Sequence, residues 1–338
     1  MTRLAAVLAL AAFCAAAACQ DGVSVTRIEY GGWRDCIQVS NGQVDIVATT
    51  EVGPRIIRFG FRGDGNQFWE NPADRGARGG DEWRIFGGHR LWHSPETKPR
   101  TYVPDNTPIE YIIMSDGMRL IEPVEKLTGI RKEIDIIMEP DEARVYVRHR
   151  LTNLGVWPVE LAPWSLSAMA PGGVGVFPMP VGPSDPFGLL PNRTLALWPY
   201  TDMNDARVTW GKEYIILRQS DTATSPIKIG MSANACWAAY VNNAQCFVKT
   251  YEYVPGAKYP DGGCTVETYT NSDPNMLEVE TLGPLTTLQP GASVEHVEQW
   301  FLFRGVRAGD TEEWARTTIA PLGRKALHFL AARGGTRG

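Results

Sequence analysis

Apolar and polar residues fall into short extended segments bounded by turn residues, several with a period near two. The pattern is clearest over 43–50, 55–61, 130–138, 143–151, 213–219, 246–254, 276–282 and 294–303, each run bounded by turn residues. Such a period sends successive side chains to opposite faces of a pleated backbone, so each run is expected to be a β-strand. From Val23 to Phe303 no sustained 3.6-residue apolar period intervenes, and no shift in composition divides the strands into two groups. The chain is therefore expected to be all-β, with one large antiparallel supersandwich over 19–305.

Three stretches break the alternation. Residues 66–106 are rich in Gly, Trp, Arg and His, and are expected to form a long loop. Residues 170–192 carry prolines at 171, 178, 180, 183, 186 and 191, which are expected to exclude a central strand or a continuous helix. Long irregular segments of this kind tend to carry function, and both are expected to fold over one end or face of the sandwich. Residues 306–338 change character: Asp310 followed by Glu313 resembles a capping box, and two short helices separated by Pro321 are expected there.

Composition adds bounds on partners and location. A length of 338 residues with 43% hydrophobic and 21% charged content is enough for a full core. The 33 basic and 38 acidic residues give a net charge of −5, which offers no footprint for a nucleic-acid backbone. Residues 1–18 carry one charge, Arg3, and then an apolar run too short and wrongly flanked for a membrane span, so they read as a signal peptide. Ala16, Ala17 and Ala18 precede Cys19, a pattern of cleavage with lipid attachment at that cysteine or of ordinary cleavage. Loss of Cys14 and lipidation of Cys19 leave Cys36, Cys236, Cys246 and Cys264, an even set that favours the lipoprotein. The expected location is the periplasm or outer membrane, reached through lipid at Cys19 alone, with secretion as the alternative. With Asn242 and Asn243 as a hairpin turn, residue 236 would face 249, which keeps Cys236 and Cys246 from forming a disulfide.

The densest polar and aromatic cluster is Trp-Arg-Ile-Phe-Gly-Gly-His-Arg-Leu-Trp-His-Ser-Pro-Glu at 83–96, followed by Arg-Thr-Tyr-Val-Pro-Asp-Asn at 100–106. Together with Thr-Thr-Glu-Val-Gly-Pro-Arg at 49–55 and Leu-Thr-Asn-Leu-Gly at 151–155, it resembles an uncharacterised branch of exported bacterial proteins in the galactose mutarotase-like (aldose 1-epimerase) superfamily. The resemblance, over roughly 23–305, implies a twisted supersandwich that binds a sugar on a concave sheet face. The chemistry it implies is aldose ring opening, in which a carboxylate takes the anomeric hydroxyl proton and a histidine protonates the ring oxygen.

Met-Leu-Glu-Val-Glu-Thr-Leu-Gly-Pro at 276–284 matches the segment that carries the superfamily's late catalytic glutamate, and the matching residue is Glu280. Alternation puts Glu278, Glu280 and Leu282 on one face and Leu277, Val279 and Thr281 on the other. The mid-chain strand that would carry the catalytic histidine reads Leu-Ala-Pro-Trp-Ser-Leu-Ser at 161–167, with Trp164 and no histidine. His89 and His93 are therefore the candidate acids, supplied from the loop, with Arg90 and Arg100 for ligand hydroxyls or a carboxylate. Trp92 and Trp164 are candidate stacking platforms, and Glu278 a second carboxylate.

His89, His93 and Glu96 also form an H-x3-H-x2-E pattern, but Gly87-Gly88 and Pro95 argue against the helix that would make them converge on a metal; no metal and no cofactor are expected. His149 shares a strand face with Val145, Val147 and Leu151 and reads as a core histidine. No Gly-x-Ser-x-Gly or P-loop motif is present. Three functions stay open: an exported epimerase-like enzyme, a non-catalytic carbohydrate-binding lipoprotein, and a polysaccharide lyase or glycoside hydrolase using a carboxylate pair. The first two are separated by whether His89 or His93 faces Glu280 across a space the size of a sugar ring.

Overall fold

The computed structural model describes residues 18–20, 22–273 and 275–333. The expected strands form, and they assemble into two antiparallel sheets. In the first, of twelve strands, Ala18–Gln20, Val23–Tyr30, Trp33–Ser40, Val44–Thr49 and Arg55–Phe61 are joined by His89–Ser94. The order then runs Val159–Met169, Asn275–Leu282, Val266–Ser272, Ile227–Met231 and Leu195–Leu197, with Thr286–Leu288 also paired to Val159–Met169. The second, of ten, runs Val208–Trp210, Tyr214–Arg218, Val174–Pro178, Trp237–Asn242, Gln245–Tyr251, Ser293–Arg304, Arg144–Asn153, Ile130–Met138, Gly117–Ile121 and Glu110–Ile113. Between them Phe59, Phe68, Phe247 and Trp300 pack with ring centroids 5.5 to 6.4 Å apart, several edge to face. The leader expected at 1–18 lies outside the described residues, apart from the backbone of Ala18.

Four expectations are corrected. The segment 66–106 is not wholly a loop, because His89–Ser94 is a central strand of the first sheet. Gly87 and Gly88 look like loop punctuation in sequence, but they let the chain pass close to its neighbours at φ of 93° and 69°. A Cβ at Gly88 would stand 2.3 Å from the Ile56 carbonyl oxygen. The prolines of 170–192 leave room for the central strand Val174–Pro178, since none falls between Pro171 and Pro178. In the hairpin, Asn242 pairs with Gln245, so the turn is at Asn243-Ala244, both at positive φ, one step beyond the expected place. Cys36, Cys236, Cys246 and Cys264 are free thiols. Pro321 does not split the tail: Glu312–Trp314, the π-helical turn Ala315–Ile319 and Ala320–Arg333 follow without a break, and Pro321 comes directly after the wider π turn, which accommodates a residue lacking an N–H donor. The helical run starts at Thr311, whose side chain accepts from the Trp314 N–H, and it packs on the second sheet through Ala315, Ile319, Ala320 and Ala326.

The core also holds a polar network that joins the sheets. Glu298, fully buried, pairs with Lys249 at 3.0 Å, accepts from Trp300 Nε1 at 2.7 Å, and accepts from the hydroxyls of Ser165 and Thr281. Burial would raise its carboxyl, but the Lys249 ammonium beside it holds it well below the usual range. Removing one partner of such a pair leaves an uncompensated buried charge. A Lys249→Met variant should therefore lose about 3–5 kcal/mol of stability, read as a lowered urea midpoint, and Glu298→Gln added to it should recover part of the loss.

Candidate ligand-binding site

Three neighbouring strands of the first sheet build the site. Their register places Trp92 beside Trp164 and Trp164 beside Leu282, and likewise Arg90, Leu166 and Glu280 in a row. All six side chains share the face turned away from the sandwich core. On the next strands Glu267 stands opposite Glu280, Tyr269 opposite Glu278, and Lys228 opposite Tyr269. The segment 83–102 and the turn carrying Trp198 and Tyr200 wall this face into a cavity of about 420 Å³. Trp83, Arg90, Trp92, Glu96, Tyr102, Trp164, Trp198, Tyr200, Lys228, Tyr269 and Glu278 line it. A recess of about 300 Å³ adjoins it, sharing Glu96, Tyr102, Trp164 and Trp198 and reaching Asp261.

The aromatic bed is continuous: ring centroids are 5.1 Å apart for Trp83 and Trp92, 5.0 Å for Trp92 and Tyr102, and 5.4 Å for Trp92 and Trp164. Two cations are set into it. Arg90 lies 4.4 Å from the Trp92 ring centre and donates to Glu278 at 2.8 Å. Lys228 sits between the Trp164 and Trp198 rings, at 4.4 and 4.7 Å, and reaches Glu267 at 2.9 Å and Glu280 at 3.2 Å. Burial pushes both of these carboxyls up, Glu267 the further, while Lys228 pulls each down. One ammonium thus faces two buried carboxyls that also repel each other.

Of the residues the sequence nominated, Arg90, Trp92, Trp164, Glu278 and Glu280 come together here. Glu280 is fully buried beneath the lining, its Oε2 held by Trp164 Nε1 at 2.8 Å and by Lys228. Glu278 reaches the cavity and is tied to Arg90.

His89 and His93 do not join them. A strand carries them, and its alternation turns both to the opposite face from Arg90 and Trp92. His89 lies in the core, where His149 Nδ1 donates to the His296 carbonyl oxygen at 3.0 Å. Burial lowers the pKa of both rings, so they are neutral. The His149 Nε2 lone pair then accepts from His89 Nε2–H at 2.7 Å, and Ser167 donates to His89 Nδ1 at 2.9 Å. His149 is the bonded core histidine its strand face suggested. The H-x3-H-x2-E pattern does not converge, because His89 and His93 point inward while Glu96 lines the cavity. His89, His149 and Glu298 do bring ligand atoms within 4.8 Å. Their lone pairs are already engaged, however, and Lys249 supplies the positive charge.

Arg100 also misses the cavity; with His93 it lines a different one, described below. Sequence reasoning passed over Lys228, Trp198, Tyr200, Tyr102 and Tyr269. Lys228 had a signal, a lone charge between the inward Ile227 and Ile229, whereas Trp198 and Tyr200 follow an edge strand and carried none.

No protein-family profile matches the chain, and no curated protein matches it. Among solved structures, a Klebsiella pneumoniae protein provisionally assigned as an aldose 1-epimerase aligns at 12% identity and a TM-score of 0.54, over 90% of this chain and 87% of that one. A galactose mutarotase-like protein from Lactobacillus casei aligns at 9% and 0.50, over 79% and 100%. A TPR-domain protein from Parabacteroides distasonis aligns at 12% and 0.54, over 81% of this chain; the chain spans about half of that protein's length. These likenesses define a class by architecture, the two-sheet supersandwich. It is the fold that this chain shares with the Klebsiella and Lactobacillus structures.

Beside His93, a buried charge cluster joins the strand Ile130–Met138 to the preceding loop. Lys132 bonds Glu125 and lies 3.5 Å from Glu122. Burial, with Glu125 and Asp105 nearby, pushes the Glu122 carboxyl up to about 8 in spite of Lys132, while Glu125 is held at about 2. A carboxyl raised on folding binds its proton more tightly in the native state. Its stabilising effect is thus complete below the unfolded value and lost as pH rises through the folded one. Urea-unfolding free energy should decline between about pH 4.5 and about 8, and a Glu122→Gln variant should lack that part of the decline.

Proposed function

We propose that the protein binds a carbohydrate in the aromatic cavity and acts as a recognition protein rather than a ring-opening epimerase. The observation that carries this is the composition of the cavity face: a bed of tryptophan and tyrosine rings with Arg90, Glu278 and Lys228 set into it, and no histidine among the lining residues. Sugar rings offer C–H faces to aromatic planes and hydroxyls to fixed charged groups. The adjoining recess gives room beyond one ring. The names borne by the Klebsiella and Lactobacillus proteins, which share the architecture, support a sugar as ligand.

Epimerase chemistry by Glu280 with His89 or His93 finds no support, since the sheet separates the carboxylate from both rings. A lyase or hydrolase reading keeps one foothold, in that Glu96 and Glu278 both line the cavity. Each is already engaged, Glu278 by Arg90 and Glu96 by the Tyr102 hydroxyl.

Ligand that binds only the native state raises the melting temperature by mass action, so a thermal-shift panel of mono- and oligosaccharides is the direct test. Trp198, partly exposed at the cavity wall, should act as a platform: Trp198→Ala should weaken binding by roughly 1–3 kcal/mol with little change in melting temperature. Trp164, 2% exposed, should behave as core, with Trp164→Ala costing about 3–5 kcal/mol of stability. Saturable sugar binding with no acceleration of mutarotation by polarimetry fits the proposal; accelerated mutarotation would restore the enzyme reading.

We further propose that the chain belongs to the exported branch of the superfamily and is anchored by lipid at Cys19. The support is the apolar leader and the small residues before Cys19. Full-length protein expressed in a Gram-negative host should partition into detergent phase and incorporate labelled palmitate. Cys19→Ala should abolish both, and wholly soluble wild-type protein would refute the anchor.

A further inference from the structure

We propose that a second cavity, at the end of the sandwich near the start of strand Ile130–Met138, binds a small apolar carboxylate. The cavity, of about 350 Å³, lies within the size range of small-molecule sites. Leu127, Ile130, Val159 and Leu161 provide apolar walls, and His93 and Arg100 contribute its nitrogen atoms.

Each basic side chain keeps a buried nitrogen, Nδ1 of His93 and Nε of Arg100, without a hydrogen-bond partner. His93 is 1% exposed; its Nε2 faces Glu125 Oε2 at 3.7 Å, within ion-pair reach, while its Nδ1 has no partner. Arg100 has a buried, unpartnered Nε, and its side-chain hydrogen bond runs from Nη2 to the Pro95 carbonyl oxygen at 2.7 Å. No carboxylate among the described residues forms an ion pair with it. Glu125 is not its counter-ion, because Lys132 and the Thr128 hydroxyl engage that carboxylate.

An unbalanced guanidinium and a buried imidazole N–H at an apolar cavity ask for two acceptor oxygens carrying negative charge on an apolar body. A carboxylate on an aromatic or branched aliphatic group meets all three requirements. The cavity is distinct from the sugar cavity: His93 follows Trp92 on the same strand, and the pleat turns them to opposite sides.

Benzoate is a suitable probe, with benzamide as its uncharged counterpart, titrated against the full-length chain by calorimetry. Benzoate should bind saturably, with benzamide and the Arg100→Gln variant each weakening binding at least ten-fold. Leu127→Trp should abolish binding by filling the cavity. Leu127 is 61% exposed, so that variant should keep the parent melting temperature. Trp198→Ala should leave benzoate affinity unchanged, so failure of the sugar reading and failure of this one are read separately. Absence of saturable benzoate binding, equal affinity for benzamide, or affinity indifferent to Arg100→Gln and Leu127→Trp would each overturn the proposal.

Discussion

The constraint on which the site depends is the pleat of one strand, His89–Ser94, buried on both faces. Its neighbour Val159–Met169 is held in register by the pairs Arg90 with Leu166 and Trp92 with Trp164. That register sends Arg90 and Trp92 to the cavity and His89, Leu91 and His93 to the other side. A slip of one residue would exchange the two sets. The division of labour between the faces is thus decided by backbone pairing and by the two glycines that admit the strand to the sheet.

On the cavity side, charge is held by a shared arrangement rather than by isolated pairs. Lys228 touches two tryptophan rings and two carboxylates, and Glu280 is further held by Trp164. Removing a charge here would disturb aromatic packing as well as electrostatics, since a buried network transmits the loss of one member to the others. The rings and cations are fixed before any ligand arrives, which lowers the ordering cost of binding.

On the core side the same sheet solves a different problem. Histidines, a glutamate and a lysine lie where water does not reach, so each donor must find an acceptor within the protein. The carbonyl of His296 orients His149, His149 orients His89, and Ser167 completes the chain. With donors and lone pairs matched in this way, these histidines tie the two sheets together. His93, at the end of the same face, is the exception, and its unpartnered Nδ1 marks the second cavity.

The sequence by itself determined the all-β class, most strand positions, and the grouping of Glu278 with Glu280 on one face. These follow from a local period of two, which each strand carries within its own residues. Its nomination of Arg90, Trp92 and Trp164 also placed three residues of one cavity. What it left undecided was which face of His89–Ser94 meets which neighbour, because a strand buried on both sides shows no polar–apolar contrast to read. Lys228, Glu267 and Trp198 reach the site only through cross-strand register between segments far apart in the chain. Whether His89 is an acid or a core ligand of its neighbours, and whether Arg100 serves the sugar cavity or another, depended on side-chain direction in the assembled sheet. That direction comes from tertiary pairing, which no local pattern encodes.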